Sequence, residues 1–260
     1  MLKLDGISKT FNHHEVLKEI NVSIAKGEIV SILGASGSGK TTLLNIILGL
    51  EQPTNGQLLY DGEDITKQVM EKRPFNIVFQ DYALFPNLSA YENLVYGLRK
   101  QKNITSKEEL QELIDLLDLN DHLDKRIHQL SGGQKQRVAL GRTLVMKPQV
   151  LLLDEPLSAL DGVIKESIKE RIQLIAKKLN LTTIIVTHDP EEALTLSDKI
   201  MVLKDGRIAQ YSTPKEIVTN TVEPFVQTFI VDQLKIKRRN IERIFTQATG
   251  AVHEKVVRFS

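Results

Sequence analysis

The chain of 260 residues contains no cysteine. That removes disulfides, thiolate zinc sites and cysteine nucleophiles together, and it fits a reducing compartment. Neither sign of charge is in excess: 34 lysines and arginines face 33 acids, for a net charge of +1. No global basic field exists to drive nucleic-acid binding. No apolar run approaches the length of a membrane span. The longest, around Leu43–Leu50 and Val150–Leu153, have the length of core elements. The opening Met1-Leu2-Lys3-Leu4-Asp5 lacks the pattern of a secretory leader, and no internal repeat or low-complexity tract occurs. What remains is an ordinary globular composition, 41% hydrophobic with 15 glycines. It predicts a soluble, cytoplasmic protein of one large domain, or of one domain with a smaller subdomain. Any membrane part of its activity has to come from another chain.

The pattern of elements divides the chain. Residues 2–30 read as short β segments with turns, and Ile29–Leu33 as a buried strand followed at once by glycines. Thr41–Leu50 reads as a helix, and 56–60 and 75–80 as strands. Ser89-Ala90-Tyr91-Glu92 and Ser106-Lys107-Glu108-Glu109 are capping boxes. Leu110, Leu113, Ile114 and Leu117 then follow at helical spacing, so 89–145 forms a helical insertion. Strand and helix alternate again through Val150–Leu153, Val163–Leu179 and Thr183–Val186. A helix then opens at Asp189-Pro190. Ile200–Leu203 and Arg207–Gln210 form a hairpin around Asp205-Gly206. Thr213 caps a final helical region. The tail from Ile230 places Leu234, Ile241, Ile244 and Phe245 at roughly helical spacing, with Lys235, Lys237, Arg238 and Arg239 between them. The alternation predicts an α/β fold with a mostly parallel sheet covered by helices. The expected division is 1–88 with 146–220 as core, 89–145 as helical subdomain, and 221–260 as a short helical extension.

Gly34-Ala35-Ser36-Gly37-Ser38-Gly39-Lys40-Thr41 matches G-x-x-x-x-G-K-[ST] in full, after a strand and at the start of a helix. Small residues let the backbone wrap phosphates, with successive N–H groups and the helix N-terminus donating to the anion. Lys40 is expected to reach the β and γ phosphates and Thr41 to ligate Mg²⁺, with Thr42 beside them in the nucleotide-binding set. Val150-Leu151-Leu152-Leu153-Asp154-Glu155 is an apolar strand ending in two carboxylates. Asp154 is placed to hold the Mg²⁺ shell, and Glu155 to orient and deprotonate an attacking water. Leu130-Ser131-Gly132-Gly133-Gln134 opens a helix with two glycines that cost helix stability. They make sense if the helix start must approach a second anion closely, which points to a shared nucleotide.

Phosphate loop, LSGGQ, VLLLDE and a later histidine together resemble the ATP-binding cassette ATPases, the nucleotide-binding subunits of ABC transporters, over about residues 2–220. The resemblance implies a P-loop NTPase core, an N-terminal antiparallel β subdomain and an inserted helical subdomain. It also implies a head-to-tail homodimer in which each ATP lies between one subunit's phosphate loop and the partner's Ser131–Gln134. Matched one at a time, Phe11 stands where the family stacks an aromatic on adenine, usually a tyrosine, with Val16 beside it. Gln80 corresponds to the glutamine that contacts Mg²⁺ and the water. Ser158-Ala159-Leu160-Asp161 corresponds to the loop that crosses the dimer interface, and His188 to the histidine that contacts the γ-phosphate. The catalytic set is then Glu155, His188, Gln80 and Lys40. Gly141 and Gly162-Val163-Ile164 depart from the usual pattern without removing a catalytic group.

Gln80-Asp81-Tyr82-Ala83-Leu84-Phe85-Pro86-Asn87-Leu88-Ser89 resembles the importers of the maltose, polyamine, ferric-iron and osmoprotectant groups, where this stretch helps receive a permease helix. Tyr82 and Phe85 are expected as an exposed hydrophobic socket. The partners implied are integral membrane permease subunits and an extracytoplasmic solute-binding protein, not nucleic acid, and the place is the cytoplasmic face of the membrane. Many such relatives carry a regulatory β domain after the cassette, and the residues beyond 220 are too few for one. Two other readings share the catalytic motifs. One is an export or lipid-extraction cassette, against which only the Tyr82–Leu88 stretch argues. The other is a soluble cassette acting on DNA or ribosomes, which the lack of sustained heptads before Ser131 and the single site per chain disfavour.

Overall fold

The computed structural model describes residues 1–101, 103–158, 160 and 162–257, with side chains described to 246. The chain opens with a long hairpin of β1 (Leu2–Phe11) and β2 (His14–Ile24), joined by Asn12 and His13. Both turn residues have positive φ, the conformation a two-residue hairpin turn demands. β3 (Ile29–Gly34) runs into the phosphate loop and α1 (Lys40–Leu48). β4 (Asn55–Tyr60) returns to pair with β1, and a two-residue β5 (Glu63–Asp64), which periodicity did not signal, completes an antiparallel sheet ordered β2-β1-β4-β5. β6 (Phe75–Val78) ends two residues earlier than its apolar pattern suggests, leaving Phe79 and Gln80 outside the ladder.

The helical segment holds α2 (Ala90–Leu94), α3 (Lys107–Leu116) and α4 (Gly132–Leu144). Ser89, Ser106 and Ser131 each close a reciprocal capping box with the residue three positions on. β7 (Val150–Asp154), α5 (Gly162–Lys178), β8 (Thr182–Thr187), α6 (Pro190–Leu196), β9 (Lys199–Lys204) and β10 (Arg207–Ser212) follow. The chain ends in α7 (Pro214–Thr219), α8 (Pro224–Val226), a π-helical stretch at Gln227–Asp232, and α9 (Gln233–Val257). Among the described residues no helix is long and apolar enough to cross a membrane.

The second sheet has the order β10-β9-β3-β8-β7-β6, parallel except for the β9–β10 hairpin. Its central strands are mostly apolar because both faces are covered: β3 and β8 are buried at every position and β7 at all but Asp154. Along β7, Val150 and Leu152 enter the core shared with α1 and the antiparallel sheet. Leu151 and Leu153 point the other way, into the core beneath α4 and α5. β8 alternates likewise, with Ile184 and Val186 on the first side and Ile185 on the second. This is the α/β fold of P-loop NTPases. The two sheets are tied where the Lys18 N–H donates to the Gly206 carbonyl at 2.8 Å, in the tight turn after β9. A Cβ on Gly206 would lie 2.3 Å from the Val16 carbonyl, so the turn needs glycine to seat Val16 beside the phosphate loop.

Candidate active site

β3, β8, β7 and β6 run in the same direction, so their C-terminal ends open on one edge of the sheet. An open α/β sheet places ligands at that edge. Here it carries Gly34, His188, Asp154 and Gln80 on successive strands or just past them. Val16, Ser36, Gly37, Gly39, Lys40, Thr41, Thr42, Gln80, Asp154, Glu155, Val186 and His188 line one cleft of about 600 Å³.

The phosphate loop is shaped for an anion. Gly39, the N-cap of α1, has φ +100° and no side chain to cap the helix, so the first-turn N–H groups point outward. A Cβ there would meet Leu17 at 2.7 Å. The Ser38 hydroxyl is buried without a hydrogen-bond partner, packed against Gly34 and away from the wall of this cleft. Lys40 Nζ donates to the carbonyls of Gly34 at 2.8 Å and Ala35 at 2.9 Å. Burial lowers its pKa, while the charges of Glu155 and Asp154 pull the other way.

Across the cleft, burial and then the neighbouring Glu155 charge raise the Asp154 carboxyl's pKa, with Lys40 opposing. Glu155 has φ +47°, a left-handed backbone unusual for a non-glycine residue and a form of strain that functional sites hold. Its N–H donates to the Val186 carbonyl at 2.9 Å, fixing it against β8. Both Glu155 carboxylate oxygens lie 2.9 Å from His188 Nδ1. Gln80 Nε2 reaches Ser158 Oγ at 3.4 Å, and Ser158 Oγ donates to the Glu155 carbonyl at 3.0 Å. Thr41, Gln80 and Asp154 line this same cleft, and each side chain carries an oxygen, the donor type hard cations take.

Several expected site residues stand elsewhere. Ser131, Gly132, Gly133 and Gln134 are not in the wall of this cleft. Phe11 ends β1 half-exposed, with the Lys9 ammonium 4.6 Å above its ring, and also lies outside the wall. Ala159 and Asp161 lie outside the described residues. The start of α4 is not bare either: the Ser131 hydroxyl accepts from the Gln134 N–H, and the Gln134 amide oxygen accepts from the Ser131 N–H. Gly133 has a packing reason besides, since a Cβ would meet Ile164 of α5 at 2.8 Å.

A family model described as ABC transporter matches residues 17–158. The chain belongs to that family. It is 47% identical, over 89% of its length, to the spermidine/putrescine import ATP-binding protein PotA of Spiroplasma citri, of which it covers 67%. To the protein of that name in Haemophilus influenzae it is 43% identical over 94% of its length, covering 66%. The chain thus spans about two thirds of the length of the curated relatives it matches. Among solved structures it is similar to an ATP-binding cassette dimer in a post-hydrolysis state bound to ADP and Pi, with 34% identity and a TM-score of 0.71 over 82% of this chain and 99% of that one. It is also similar to CbiO1 of Clostridium perfringens, part of an ABC transporter complex, with 30% identity and a TM-score of 0.78 over 94% and 98%. The chain is an ATP-binding, ATP-hydrolysing cassette.

Of the two aromatics expected to be exposed in this cassette, one is. Tyr82 has positive φ and is only 8% exposed, packed in the core beneath α4 and α5. The turn at Phe79–Ala83 folds its ring inward, so Tyr82 is a core residue and not part of a socket. Phe85 stays at the surface, its ring 4.2 Å from that of Tyr96, with the Arg142 guanidinium 5.4 Å from its centre. Arg142 also donates to the carbonyls of Ala83 and Tyr82. Asn93, fully buried, holds Phe85 by both backbone N–H and C=O. Sequence reasoning passed over Asn93 and Arg142, whose only linear signal is a polar residue on a helix face. It also missed Arg73, which closes the far end of α1 with hydrogen bonds to the carbonyls of Ile46 and Ile47. Gly141 is accounted for: a Cβ would press on Leu94 and Leu117, so α4 and α2 approach closely at this point.

Proposed function

We propose that this cassette is the motor subunit of an importer of small polycationic amines, closing as a head-to-tail homodimer on two ATP molecules beneath a membrane permease. The contact of Glu155 with His188, facing Lys40 across one cleft, is the observation that carries the hydrolytic part. Glu155 accepts the proton of the attacking water, and His188 orients that carboxylate and meets the transferring phosphoryl group. Lys40 has three N–H donors, two of them on loop carbonyls, and the third serves phosphate oxygens. The donors fit Mg²⁺: one carboxylate from Asp154, the Thr41 hydroxyl and the Gln80 amide oxygen leave the remaining positions to phosphate and water. Bound there, the ion would neutralise charge on the phosphate oxygens.

Import, and the polyamine class of cargo, are supported by the relatives above, named as spermidine/putrescine import ATP-binding proteins. Docking is supported by the exposed Phe85–Tyr96 pair beside Arg142. The closure of two copies is supported by the location of Ser131–Gln134 away from the cleft, which leaves them free to complete a partner's site. In the closed form each subunit lends a helix start to the other's nucleotide, and the movement is passed to the permease because its two states bind the closed pair differently.

The test is affinity capture of tagged Glu155→Gln with Mg-ATP from gently solubilised membranes, with mass spectrometry of the co-purifying chains. A multi-span permease with an extracytoplasmic binding protein that takes up spermidine or putrescine is the expected result. A permease whose binding protein ignores both amines would overturn the cargo, a permease without any binding protein would point to export, and ribosomal or DNA-associated chains alone would overturn transport.

A further inference from the structure

The turn that carries His188 is tethered to a different helix by a largely buried charge cluster. Lys165, in the first turns of α5, places Nζ 2.6 Å from Glu192 Oε1 and 3.0 Å from Asp189 Oδ2. The Glu192 side chain is 4% exposed and that of Lys165 23%. The other Glu192 oxygen accepts from the Thr187 hydroxyl at 2.6 Å, and the same hydroxyl oxygen accepts from the Asp189 N–H at 3.1 Å. The second Asp189 oxygen caps α6, accepting from the Glu191 N–H at 2.9 Å. His188 is therefore flanked on both sides by residues whose side chains belong to one network, and that network ends on one ammonium from α5.

We infer that Lys165 is a positioning residue for ATP hydrolysis: through Glu192 and Asp189 it fixes the Thr187–Asp189 turn where the His188 ring meets Glu155. The inference rests on the reading of Glu155 and His188 as the hydrolytic pair. Removing one partner of a buried ion pair leaves the other uncompensated, and Glu192 then has to move toward water or take up a proton. Either response releases Thr187, and with it the backbone from which His188 hangs. Burial depresses the Lys165 pKa, but the hydrogen bonds and charges of Glu192 and Asp189 more than offset this, so the ammonium is charged at any physiological pH. Lys237 of α9 also reaches α6, at Glu191 Oε2 over 2.6 Å, yet both side chains of that pair are about half exposed. An exposed pair of this kind holds its elements weakly, so Lys237 serves as a control for charge near α6.

Steady-state ATPase assays on the full chain test this, with nucleotide binding and melting temperature followed in parallel. Lys165→Met is expected to lower kcat by about 10- to 100-fold, since a misplacement of about 1 Å costs on that order. Its KM for ATP should stay within about threefold, because the phosphate loop is untouched. Lys165→Arg should recover most of the rate, as a guanidinium can bridge both carboxylates. Glu192→Gln should reproduce the loss of kcat, and adding it to Lys165→Met should cost little more. Should Lys165→Met not fold, Glu192→Gln and Lys165→Arg carry the same test. Lys237→Met should leave kcat within about twofold. The inference is overturned if Lys165→Met and Glu192→Gln keep wild-type kcat while His188→Ala loses it. A rate that falls only in step with folded protein and without rescue by arginine, or an equal loss in Lys237→Met, overturns it too. If His188→Ala itself keeps wild-type kcat, the hydrolytic pairing fails first and is identified as the failure.

Discussion

α1 begins at the phosphate loop and ends on Arg73, so a change far from the nucleotide bears on the helix that binds it. The Arg73 side chain is buried and donates four hydrogen bonds: to the carbonyls of Ile46 at 2.7 Å and Ile47 at 2.6 Å, of Gln68 at 2.9 Å and of Thr66 at 3.0 Å. Two of these satisfy carbonyls at the C-terminal end of α1, where the helix dipole also favours a cation. Among the described residues no carboxylate pairs with it, and burial lowers the guanidinium's pKa to about 10, which leaves it charged at neutral pH. Hydrogen bonds from a charged donor contribute about 1.5–3 kcal/mol each. The lowered pKa corresponds to a burial cost on the order of 3 kcal/mol. At the lower end of the bond strengths, the four bonds outweigh that cost by about 3 kcal/mol. Arg73→Met keeps the bulk of the stem and removes the donors, so it should lower stability by about 3 kcal/mol and the melting temperature by roughly 6–12 °C for a chain of this size. Arg73→Lys, with its charge on one nitrogen in place of a planar fork, should fall between the two. Differential scanning fluorimetry and urea unfolding at fixed protein concentration measure both. A methionine variant within about 1 kcal/mol of the parent would refute the reasoning, because the carbonyls would then be satisfied without Arg73.

The remaining predictions concern the cleft. Glu155→Gln should keep ATP binding and lose turnover by about 10²–10⁴-fold; rapid hydrolysis in single-turnover assays would remove Glu155 as the base. Asp154→Asn should raise the melting temperature of the protein without nucleotide and abolish the further stabilisation by Mg-ATP. The gain should be larger at pH 7 than at pH 4: an acid whose folded pKa is raised costs no stability below its unfolded pKa of about 3.9 and its full cost above the folded value. A gain that does not grow with pH would reject the burial argument. Ser131→Arg should leave nucleotide binding by the single chain intact and abolish ATP-driven dimerisation on size-exclusion chromatography; unchanged dimerisation would defeat the shared site.

What could be read from the linear order was whatever is local. Gly34–Thr41 is legible because one strand end, one turn and one helix start are consecutive and each has its own residue preferences. Asp154 and Glu155 are legible because a run apolar on both faces ends abruptly in two acids. Tyr82 misled because exposure of an aromatic after a strand depends on the sense of the turn, and positive φ at Tyr82 and Ala83 reverses it. Arg73, Asn93 and the Lys165 cluster were silent because their partners are main-chain carbonyls or acids distant in sequence, and a lone polar residue in a helix or loop is normally solvated. Gly133 shows a subtler limit. A glycine at a helix start reads as room for an anion, while the structure also gives it the close approach of Ile164.

The order of strands explains why chemistry so scattered in sequence is assembled at all. Gly34, Gln80, Asp154 and His188 share nothing in linear spacing, but each stands at or just beyond the end of a parallel strand, and adjacent strands lie about 4.8 Å apart. Glu155 and His188 are thereby brought to hydrogen-bonding distance by the register that pairs Asp154 with Val186. A slip of one residue in β8 would reverse which residues face which core and carry His188 away from Glu155. The alternation of Val150, Leu152, Ile184 and Val186 into one core and Leu151, Leu153 and Ile185 into the other forbids that slip. The hydrophobic cores of this cassette therefore set the geometry of its catalytic edge, and the polar tether from Lys165 acts at Thr187, the last ladder residue of β8, and on the turn beyond it.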